Sequence, residues 1–363
     1  MPHRRLAQKL EAYGIGGNIL QWINAFLTGR SQTVIVNGEK SKSSPVLSGV
    51  PQGSVLGPIL FVIYINDLPD AVKSDVFLFA DDTKIARQVS TVEDSLALQE
   101  DLNALSNWSN NWLLEFNADK CHILTIGRIE DITHTHNYKI NGEELEHVFE
   151  EKDLGVTFDF ELSFNEHICG KVKKANAIMG LIRRSFSYLD TNLFRKLYVT
   201  FVRPHLEYAQ AVWSPFLVKY INLIENVQKR ATRVVDGLTD LEYSERLRKL
   251  QLPTLSHRRH RGDMIEVWKH FNVYDSRTLS SSFKPKHRAS RKHNLQLFYN
   301  KSKDGKKGTQ HNSFYHRVTN AWNNLPKKVV ENTTINGFKN DIDEYWLKGD
   351  FDIYATERLI EVV

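Results

Sequence analysis

The first 160 residues alternate between apolar, helix-like segments and short β-prone runs. Apolar residues recur at helical spacing in three segments, namely residues 3–28 with a break at Gly14–Gly17, residues 54–68 and residues 92–114. β-branched and aromatic residues form strand-like runs in five places, namely residues 32–37, 75–88 as a hairpin, 121–126, 138–140 and 154–158. This alternation predicts an α+β layer.

Beyond Phe160 the helical periodicity continues for more than a hundred residues. Apolar positions form three stripes: Ile168, Val172, Ala175, Ile178, Met179 and Ile182; Leu193, Leu197, Val199, Phe201 and Val202, closed by Pro204; and Ile221, Ile224, Val227, Ala231 and Val234. The stripes predict an all-helical domain over residues 161–275, after a first domain over residues 1–160.

The last region, residues 276–363, contains two different compositions. Residues 276–308 are rich in Ser, Lys, Arg and Gly, which predicts a basic connector with Arg288, Arg291, Lys292, Lys301, Lys303, Lys306 and Lys307. Residues 312–346 carry aromatic residues at helical spacing beside apolar ones. This spacing favours a small packed helical element over a platform for base stacking.

The charge is unevenly distributed along the 363 residues. Residues 1–160 hold 13 Lys and Arg against 22 Asp and Glu, a net charge of −9, whereas residues 161–363 hold 35 against 21, a net charge of +14. A basic surface of this kind neutralises phosphates, although lysine-rich helices are also simply solvated. No apolar stretch is long enough for a membrane span, and Cys121 and Cys169 cannot form a four-ligand zinc site, so we expect buried thiols.

Two adjacent carboxylates, Asp81 and Asp82, interrupt the apolar run of the hairpin. A strand, tight turn and strand would hold both side chains at a rigid edge, where they repel each other unless a divalent cation offsets the repulsion. An Asp pair in a turn is also common surface chemistry. The metal interpretation is favoured by the glycine-rich loop Ser48–Ser54 upstream of the pair. An apolar helix follows this loop, and Ser54 is placed to cap its start.

These motifs resemble the reverse transcriptases of non-long-terminal-repeat retrotransposons, in the jockey-like group. The segment SGVPQGSVLGPILFVIYINDLP resembles the family's template-and-nucleotide loop, and FADD resembles its metal-binding turn. Further matches in the family's order are NWLLEFNADKC, KDLGVTFD and FVRPHLEYAQAVWSP. The resemblance implies a partial polymerase palm, which is an antiparallel sheet with packed helices, followed by a helical thumb-like domain and a basic C-terminal region.

The resemblance also implies an activity, RNA-directed DNA polymerisation by two-metal nucleotidyl transfer. Its partners would be an RNA template, a DNA primer and deoxynucleoside triphosphates, with Mg²⁺ or Mn²⁺ as cofactor and the cytoplasm and nucleus as location. The implied residues are Asp81 and Asp82 as metal ligands, Lys120 near the triphosphate, Gly49, Pro51, Gln52 and Gly53 at the template and nucleotide, and Leu154, Gly155 and Val156 as primer grip. Arg30 is a further phosphate candidate, although Arg30 and Lys120 also fit ordinary surface positions.

In the resembled family a third carboxylate, on a strand before the first helix, completes the metal site. The sequence starts where that helix begins, so we expect an amino-terminally truncated polymerase that is inactive as residues 1–363. Glu11, Asp67 and Asp70 are weak substitutes because metal geometry tolerates little displacement. Two alternatives stay open: an active enzyme encoded by a longer gene, and a non-catalytic RNA- or RNP-binding remnant of a retroelement protein.

Overall fold

The computed structural model of the chain describes residues 1–127, 136–274, 293–298, 313–348 and 353–354. The chain forms two compact units, Met1–Phe149 and Glu150–Val363. Helices dominate the second unit, and short strands are mixed with helices in the first. The structure therefore has the mixed α+β composition that the sequence predicts.

The first unit contains four α-helices and ten short strands among its described residues. The helices are α1 (His3–Ala12), α2 (Gly17–Leu27), α3 (Leu56–Ile65) and α4 (Val92–Trp112), with 3₁₀ turns at Leu68–Ala71 and Ala118–Lys120. The strands are β1 (Ser31–Gln32), β2 (Ile35–Val36), β3 (Glu39–Lys40), β4 (Ser44–Pro45), β5 (Asp75–Phe79), β6 (Asp82–Ala86), β7 (His122–Leu124), β8 (Lys139–Ile140), β9 (Glu143–Glu144) and β10 (Glu146–Val148).

The strands of the first unit pair two by two. The pairs β1–β4, β2–β3, β5–β6 and β8–β9 are antiparallel, and β7 pairs with β10 in parallel. The predicted single strand over residues 32–37 is divided between β1 and β2, with Thr33 and Val34 outside both strands. Asn37 (φ +52°) and Gly38 (φ +88°) then form the turn between β2 and β3. Left-handed residues at both turn positions suit a tight hairpin.

A single apolar core holds the first unit together. Residues from all four helices are buried in it, including Leu6, Leu27, Leu60 and Leu102. The chain leaves α1 at Gly14 (φ +81°), at the predicted break between the two helices. Helix α4 begins with a capping box, in which Thr91 and Asp94 bond each other's backbone N–H groups.

The second unit starts with the hairpin β11 (Glu150–Asp153) and β12 (Val156–Asp159) and continues as helices. These are α5 (Asn165–Ser185), α6 (Thr191–Leu197), α7 (Arg203–Glu207), α8 (Gln210–Trp213), α9 (Val218–Ala231), α10 (Tyr243–Leu250), α11 (Leu255–Asn272), α12 (Phe314–Asn323), α13 (Lys327–Val330) and α14 (Ile335–Lys348). Two cores form within the unit, one around α5, α6 and α9 and one around α11, α12 and α14.

The predicted stripes on α5 and α9 are confirmed, and the stripe on α6 is confirmed in part. Val202 is buried, and Leu193, Leu197 and Val199 pack against the same core. The buried residues there are Phe194, Tyr198, Val202 and Leu206, whereas Phe201 is exposed. A π-helical turn over Tyr198–Val202 precedes Pro204, which lacks an N–H group and cannot continue an ideal helix. The wider turn lets helical structure continue through Pro204, so the helical run does not end there.

The carboxyl-terminal aromatic residues pack inside a helical element. Trp322 and Phe338 are fully buried beside Trp268 of α11. This arrangement agrees with the packed element that the sequence favours. The predicted basic connector, with all seven of its named cationic residues, lies outside the described residues except for residues 293–298, where Leu297 joins the same core.

Candidate metal and nucleic-acid site

Asp81 and Asp82 lie at the tip of the β5–β6 hairpin. The ladder closes with Phe79 opposite Asp82, which leaves Ala80 and Asp81 as the two turn residues. Ala80 has φ +51°, a conformation that non-glycine residues adopt at a cost of about 1 kcal/mol. The predicted strand, turn and strand are confirmed, and both carboxylates are exposed.

The two faces of this hairpin have different environments. Val76, Leu78 and Ile85 pack on the apolar core of the first unit. Phe77 and Phe79 alternate with them and are 57% and 62% exposed. Because one face of the hairpin packs on the core, that packing fixes the position of the turn that carries the two carboxylates.

Asp101 of α4 fixes the base of the hairpin. Its Oδ1 accepts from the Lys73 backbone N–H at 2.9 Å, and its Oδ2 accepts from the Ser74 N–H at 3.0 Å and from Arg87 Nη1 at 3.2 Å. Burial by itself would raise the pKa of Asp101, but these hydrogen bonds and the Arg87 charge hold that pKa below its ordinary value.

The Asp101 contacts were not predicted, although the sequence contains a signal for them. Lys73 and Ser74 precede β5, and Arg87 follows β6, so one carboxylate holds both ends of the hairpin. Asp101 lies next to Leu102 on the apolar face of α4, where an acidic residue is unusual. An acid on a buried helical face indicates a partner of matching charge.

The glycine loop is fixed by contacts with the start of α1. The Gly49 N–H donates to the Met1 carbonyl oxygen at 2.8 Å, and His3 Nε2 lies 2.8 Å from the Gly49 carbonyl oxygen. Gly49 (φ +85°) and Gly53 (φ +79°) both adopt left-handed conformations that favour glycine. Pro51 is half-buried and Gln52 is exposed, so the loop presents Gln52 to solvent.

The loop joins α3 through a close contact at Gly57. Ser54 Oγ donates to the Pro51 carbonyl oxygen at 2.8 Å and accepts from the Gly57 N–H at 3.0 Å, as its predicted capping role requires. A Cβ atom on Gly57 would lie 2.9 Å from the Pro51 oxygen. The need for glycine at this position was not predicted, because the contact appears only when loop and helix are folded together.

The glycine loop and the carboxylate hairpin pack on the same core. Val50 of the loop contacts the cluster to which Val76 and Leu78 of the hairpin also belong. Exposed, adjacent carboxylates with oxygen-only donors fit a hard divalent cation that keeps water or phosphate oxygens as further ligands. Among the described residues, no group of three or more His, Cys, Asp or Glu side chains is arranged to hold a metal ion.

Asp67, considered above as a substitute ligand, has another partner. Its Oδ1 accepts from the buried Lys9 ammonium and from Trp108 Nε1. The Lys9 Nζ also lies 3.8 Å from the centroid of the Trp112 ring and 4.8 Å from that of Tyr64. Asp67 therefore serves the packing of α1 on α3 and α4, while Glu11 and Asp70 are exposed.

Lys120 and Arg30 lie on the surface of the first unit. Lys120 ends the 3₁₀ turn Ala118–Lys120, and its side chain is exposed. Arg30 Nη1 donates to the Phe26 carbonyl oxygen at 2.9 Å, and the guanidinium lies over the Phe26 ring. The Arg30 contacts fit a residue that caps the end of α2.

The two cysteines, predicted to be buried, are free and only half-buried.

A family model described as reverse transcriptase (RNA-dependent DNA polymerase) matches residues 1–182. This range is half of the chain, and it contains the glycine loop, the carboxylate hairpin and the β11–β12 hairpin. The chain belongs to the reverse transcriptase family. The predicted family is thereby confirmed.

Curated relatives agree with this reverse transcriptase assignment. The RNA-directed DNA polymerase from mobile element jockey of Drosophila funebris is 33% identical over 236 residues, which cover 60% of this chain and 25% of the relative. The jockey polymerase of Drosophila melanogaster is 30% identical over 227 residues, and the probable RNA-directed DNA polymerase from transposon BS of the same species is 28% identical over 235 residues. The chain spans about a quarter of the length of these relatives.

In this member of the reverse transcriptase family, Leu154, Gly155 and Val156 belong to the second unit. Leu154 and Gly155 form the turn between β11 and β12, and Val156 is the first residue of β12 and is buried. The turn residues have φ +45° and +82°. The predicted strand over residues 154–158 therefore begins two residues later than expected.

The basic residues of the second unit fall into two groups. On α5, α9 and the turn after α9 the cations Lys173, Lys174, Arg183, Arg184, Lys229, Arg230 and Arg233 are exposed. On and around α11 they are paired internally: Arg258 with Glu207, Arg261 with Asp343 and Arg317 with Asp263. These three arginines are thus neutralised by acidic partners within the fold, whereas the cations of the first group remain exposed. None of the helices among the described residues is long and apolar enough to cross a membrane.

Proposed function

We propose that the chain is part of an RNA-directed DNA polymerase of a retrotransposon, with an RNA template, a DNA primer and deoxynucleoside triphosphates as substrates. The observation that carries the proposal is the exposed Asp81–Asp82 pair on a hairpin that shares one core with the glycine loop. The relatives are named RNA-directed DNA polymerases, which supports this substrate class. In this proposal the first unit supplies a partial polymerase palm.

Asp81 and Asp82 are the proposed ligands of Mg²⁺ or Mn²⁺, with Asp81 as the principal ligand and Asp82 as the weaker one. When bound, the cations lower the pKa of the primer 3′-hydroxyl and neutralise charge on the triphosphate and the leaving pyrophosphate. Asp101 holds the base of the hairpin that carries both carboxylates.

The remaining site residues have proposed roles in positioning substrates. Gly49, Pro51, Gln52 and Gly53 contact the templating base and incoming nucleotide, for which the left-handed glycines allow close backbone approach. Lys120 contacts the triphosphate, and Leu154, Gly155 and Val156 contact the primer. Arg30 is the weakest of these proposals, because its guanidinium is already engaged with Phe26.

The helical second unit has the proposed role of a thumb. The exposed cations of α5 and α9 include Arg230, whose Nη2 donates to Asn176 Oδ1 of α5 at 3.3 Å, so this cation of α9 lies against α5. Such a surface suits the phosphates of a primer–template duplex and predicts binding that weakens with salt. We expect nuclear and cytoplasmic sites of action, as the family resemblance implies.

The proposed function is tested by replacing the matching quarter of the Drosophila funebris jockey polymerase with the segment of this chain that aligns to it over 236 residues. We expect Mg²⁺-dependent extension of a DNA primer on an RNA template. Asp81→Asn should lower the rate by about a thousandfold or more, and Asp82→Asn by less. Glu100→Gln, an exposed acid on α4, is the matched control and should leave the rate unchanged.

Two outcomes would contradict the proposal. Extension that survives Asp81→Asn would remove the metal role. A folded chimera that binds RNA with a steep salt dependence but never extends a primer would favour the non-catalytic RNA-binding alternative. A separate assay of residues 1–363 alone tests the expectation of an incomplete metal site, which extension by this polypeptide would refute.

A further inference from the structure

Both carbonyl groups in the turn of the β11–β12 hairpin accept hydrogen bonds from side chains. The Tyr208 hydroxyl donates to the Leu154 carbonyl oxygen at 2.8 Å, and the Lys171 ammonium donates to the Gly155 carbonyl oxygen at 3.0 Å. Two consecutive left-handed residues already define this turn. The two side-chain donors, one from α5 and one from the end of α7, add a second constraint on the backbone of this turn.

A third side chain holds the strand that follows the turn. The Thr157 N–H of β12 donates to Nδ1 of His167, which is buried, at 3.1 Å. Burial, together with the Lys171 charge, lowers the pKa of His167 to about 4, so the ring is neutral at pH 7 and Nε2 carries its proton. This buried Nε2 has no hydrogen-bond partner among the described residues, which costs free energy.

Trp213 contacts both Tyr208 and His167 and so links the residues that hold the turn and the strand. Its Nε1 donates to the Tyr208 carbonyl oxygen at 2.7 Å, and its ring centroid lies 5.2 Å from that of His167. The Tyr208 ring in turn covers Gly155, where an added Cβ would lie 3.3 Å from Tyr208 Cε1. The turn therefore cannot change its backbone conformation without breaking contacts on two helices.

We propose that Tyr208, Lys171 and His167 are positioning residues that hold the Leu154–Gly155 turn in one backbone conformation and thereby give the chain a preference for a recessed primer end over single-stranded RNA. This inference rests on the proposed function, which assigns the turn to primer contact. A turn that is already ordered loses less conformational entropy on binding than a mobile one.

The holding role is tested by hydrogen exchange on the 363-residue chain without nucleic acid. Tyr208→Phe and Lys171→Met each remove one donor to the turn, and we expect the amides of residues 154–158 to exchange about tenfold faster. Tyr188→Phe and Lys249→Met, which change exposed side chains elsewhere, are the matched controls. Exchange in α9 should be unchanged in all four variants.

His167 provides a conservative rescue. His167→Asn places an amide oxygen near the position of Nδ1 and can still accept from Thr157, whereas His167→Leu cannot. We expect near wild-type exchange in the first variant and faster exchange of residues 156–158 in the second. Equal exchange in the two variants would show that the hydrogen bond to Thr157 does not hold the strand.

The link to the primer is tested by fluorescence anisotropy at one fixed salt concentration. The ligands are an RNA template with a recessed DNA primer and the same RNA single-stranded. We expect Tyr208→Phe and Lys171→Met to weaken binding of the recessed duplex by about three- to tenfold and to leave the single strand unaffected. The control variants should change neither affinity.

The results separate this inference from the proposed function. Unchanged exchange in both Tyr208→Phe and Lys171→Met would overturn the positioning role. Equal weakening of both ligands would overturn the link between turn and primer end, because general charge or folding effects act on both. If the wild-type chain binds both ligands equally, the assignment of the turn to the primer fails, and the exchange data still decide whether the turn is held.

Discussion

The two units of the chain use buried charge differently. In the first unit the buried charged residues among those described are Lys9 and Asp101, and each joins a helix to its neighbours. In the second unit Glu225, Arg246, Arg259 and Asp263 are all buried within the helical packing. In the first unit each buried charged residue therefore joins one helix to its neighbours, and in the second unit four such residues lie within one helical packing.

Glu225 shows how the second unit is organised. Its Oε1 accepts from the Tyr243 hydroxyl at 2.5 Å, and its Oε2 accepts from the Ser256 N–H at 3.2 Å, at the start of α11. Burial raises the pKa of Glu225, while these bonds and the Arg259 charge oppose the rise. A carboxylate at a helix amino terminus is stabilised by the helix dipole, so α9, α10 and α11 are fixed at one point.

The largest expected effect is on core packing. Phe194→Ala in the second unit should lower the free energy of unfolding by about 3–5 kcal/mol, because a fully buried aromatic ring leaves a cavity. Leu60→Ala should lower the stability of the first unit by about 2–5 kcal/mol. Hydrogen exchange measured peptide by peptide should confine each loss to its own unit. Loss in both units from either variant would show that they unfold as one.

The second-largest effect on stability is expected from removing the polar contacts at the base of the β5–β6 hairpin. Asp101→Asn leaves Arg87 without its carboxylate and places an amide against two N–H donors, so we expect a loss of about 2–4 kcal/mol in the first unit. Amides of residues 75–86 should exchange faster in this variant. Glu100→Gln, on the exposed side of the same helix, should change stability by less than about 0.5 kcal/mol.

The pH dependence should differ between the units. Burial lowers the pKa of both His167 and His257 to about 4, against about 6.5 in an unfolded chain. Between these values the unfolded chain binds more protons than the folded one, so stability falls as the pH drops from 6.5 to 4. We expect the second unit to lose about 2 kcal/mol per histidine in urea titrations. His167→Asn should remove the contribution of His167 to this dependence of the unfolding free energy on pH.

A smaller effect is expected at the contact between loop and helix. Gly57→Ala introduces a Cβ at 2.9 Å from the Pro51 oxygen, and the loop must shift to accommodate it. We expect a loss of about 1–2 kcal/mol and faster exchange at residues 50–54. The control is Gly170→Ala in α5, where no atom lies within 4 Å of the added Cβ and alanine should stabilise the helix by about 0.5–1 kcal/mol.

The smallest effect on stability should come from the exposed face of the carboxylate hairpin. Phe77 and Phe79 are more than half exposed, so Phe77→Ser and Phe79→Ser should change the unfolding free energy by less than about 1 kcal/mol. Exposed apolar side chains on a short hairpin promote association, and both variants should therefore bind less of an apolar dye and aggregate more slowly. Unchanged aggregation would show that another surface is responsible.

Local patterns in the sequence predicted much of the fold. The apolar stripes on α5 and α9, the hairpin carrying Asp81 and Asp82, and the break at Gly14 follow from side-chain periodicity and turn chemistry, which act over a few residues. On α6 four of the five predicted residues contact the core, but the π-helical turn over Tyr198–Val202 changes the helical spacing and leaves Phe201 exposed.

The contacts that position the candidate site could not be predicted in the same way. Asp101 reaches back 27 residues to Ser74, and Tyr208 reaches 54 residues to Leu154. These pairings depend on which helix packs against which hairpin, and a periodic pattern carries no such information. The pairing of Asp67 with Lys9, across 58 residues, has the same origin.

The central claim is that Asp81 and Asp82 bind divalent metal beside a nucleotide that the glycine loop contacts. Fe²⁺ in place of Mg²⁺, with ascorbate and peroxide, generates radicals that cut the backbone next to the bound ion. With a primer–template and a deoxynucleoside triphosphate present, we predict cuts near residues 81–82 and within residues 49–53, both suppressed by excess Mg²⁺ and lost in Asp81→Asn. Cuts that persist in Asp81→Asn, or that leave residues 49–53 intact, would contradict the account.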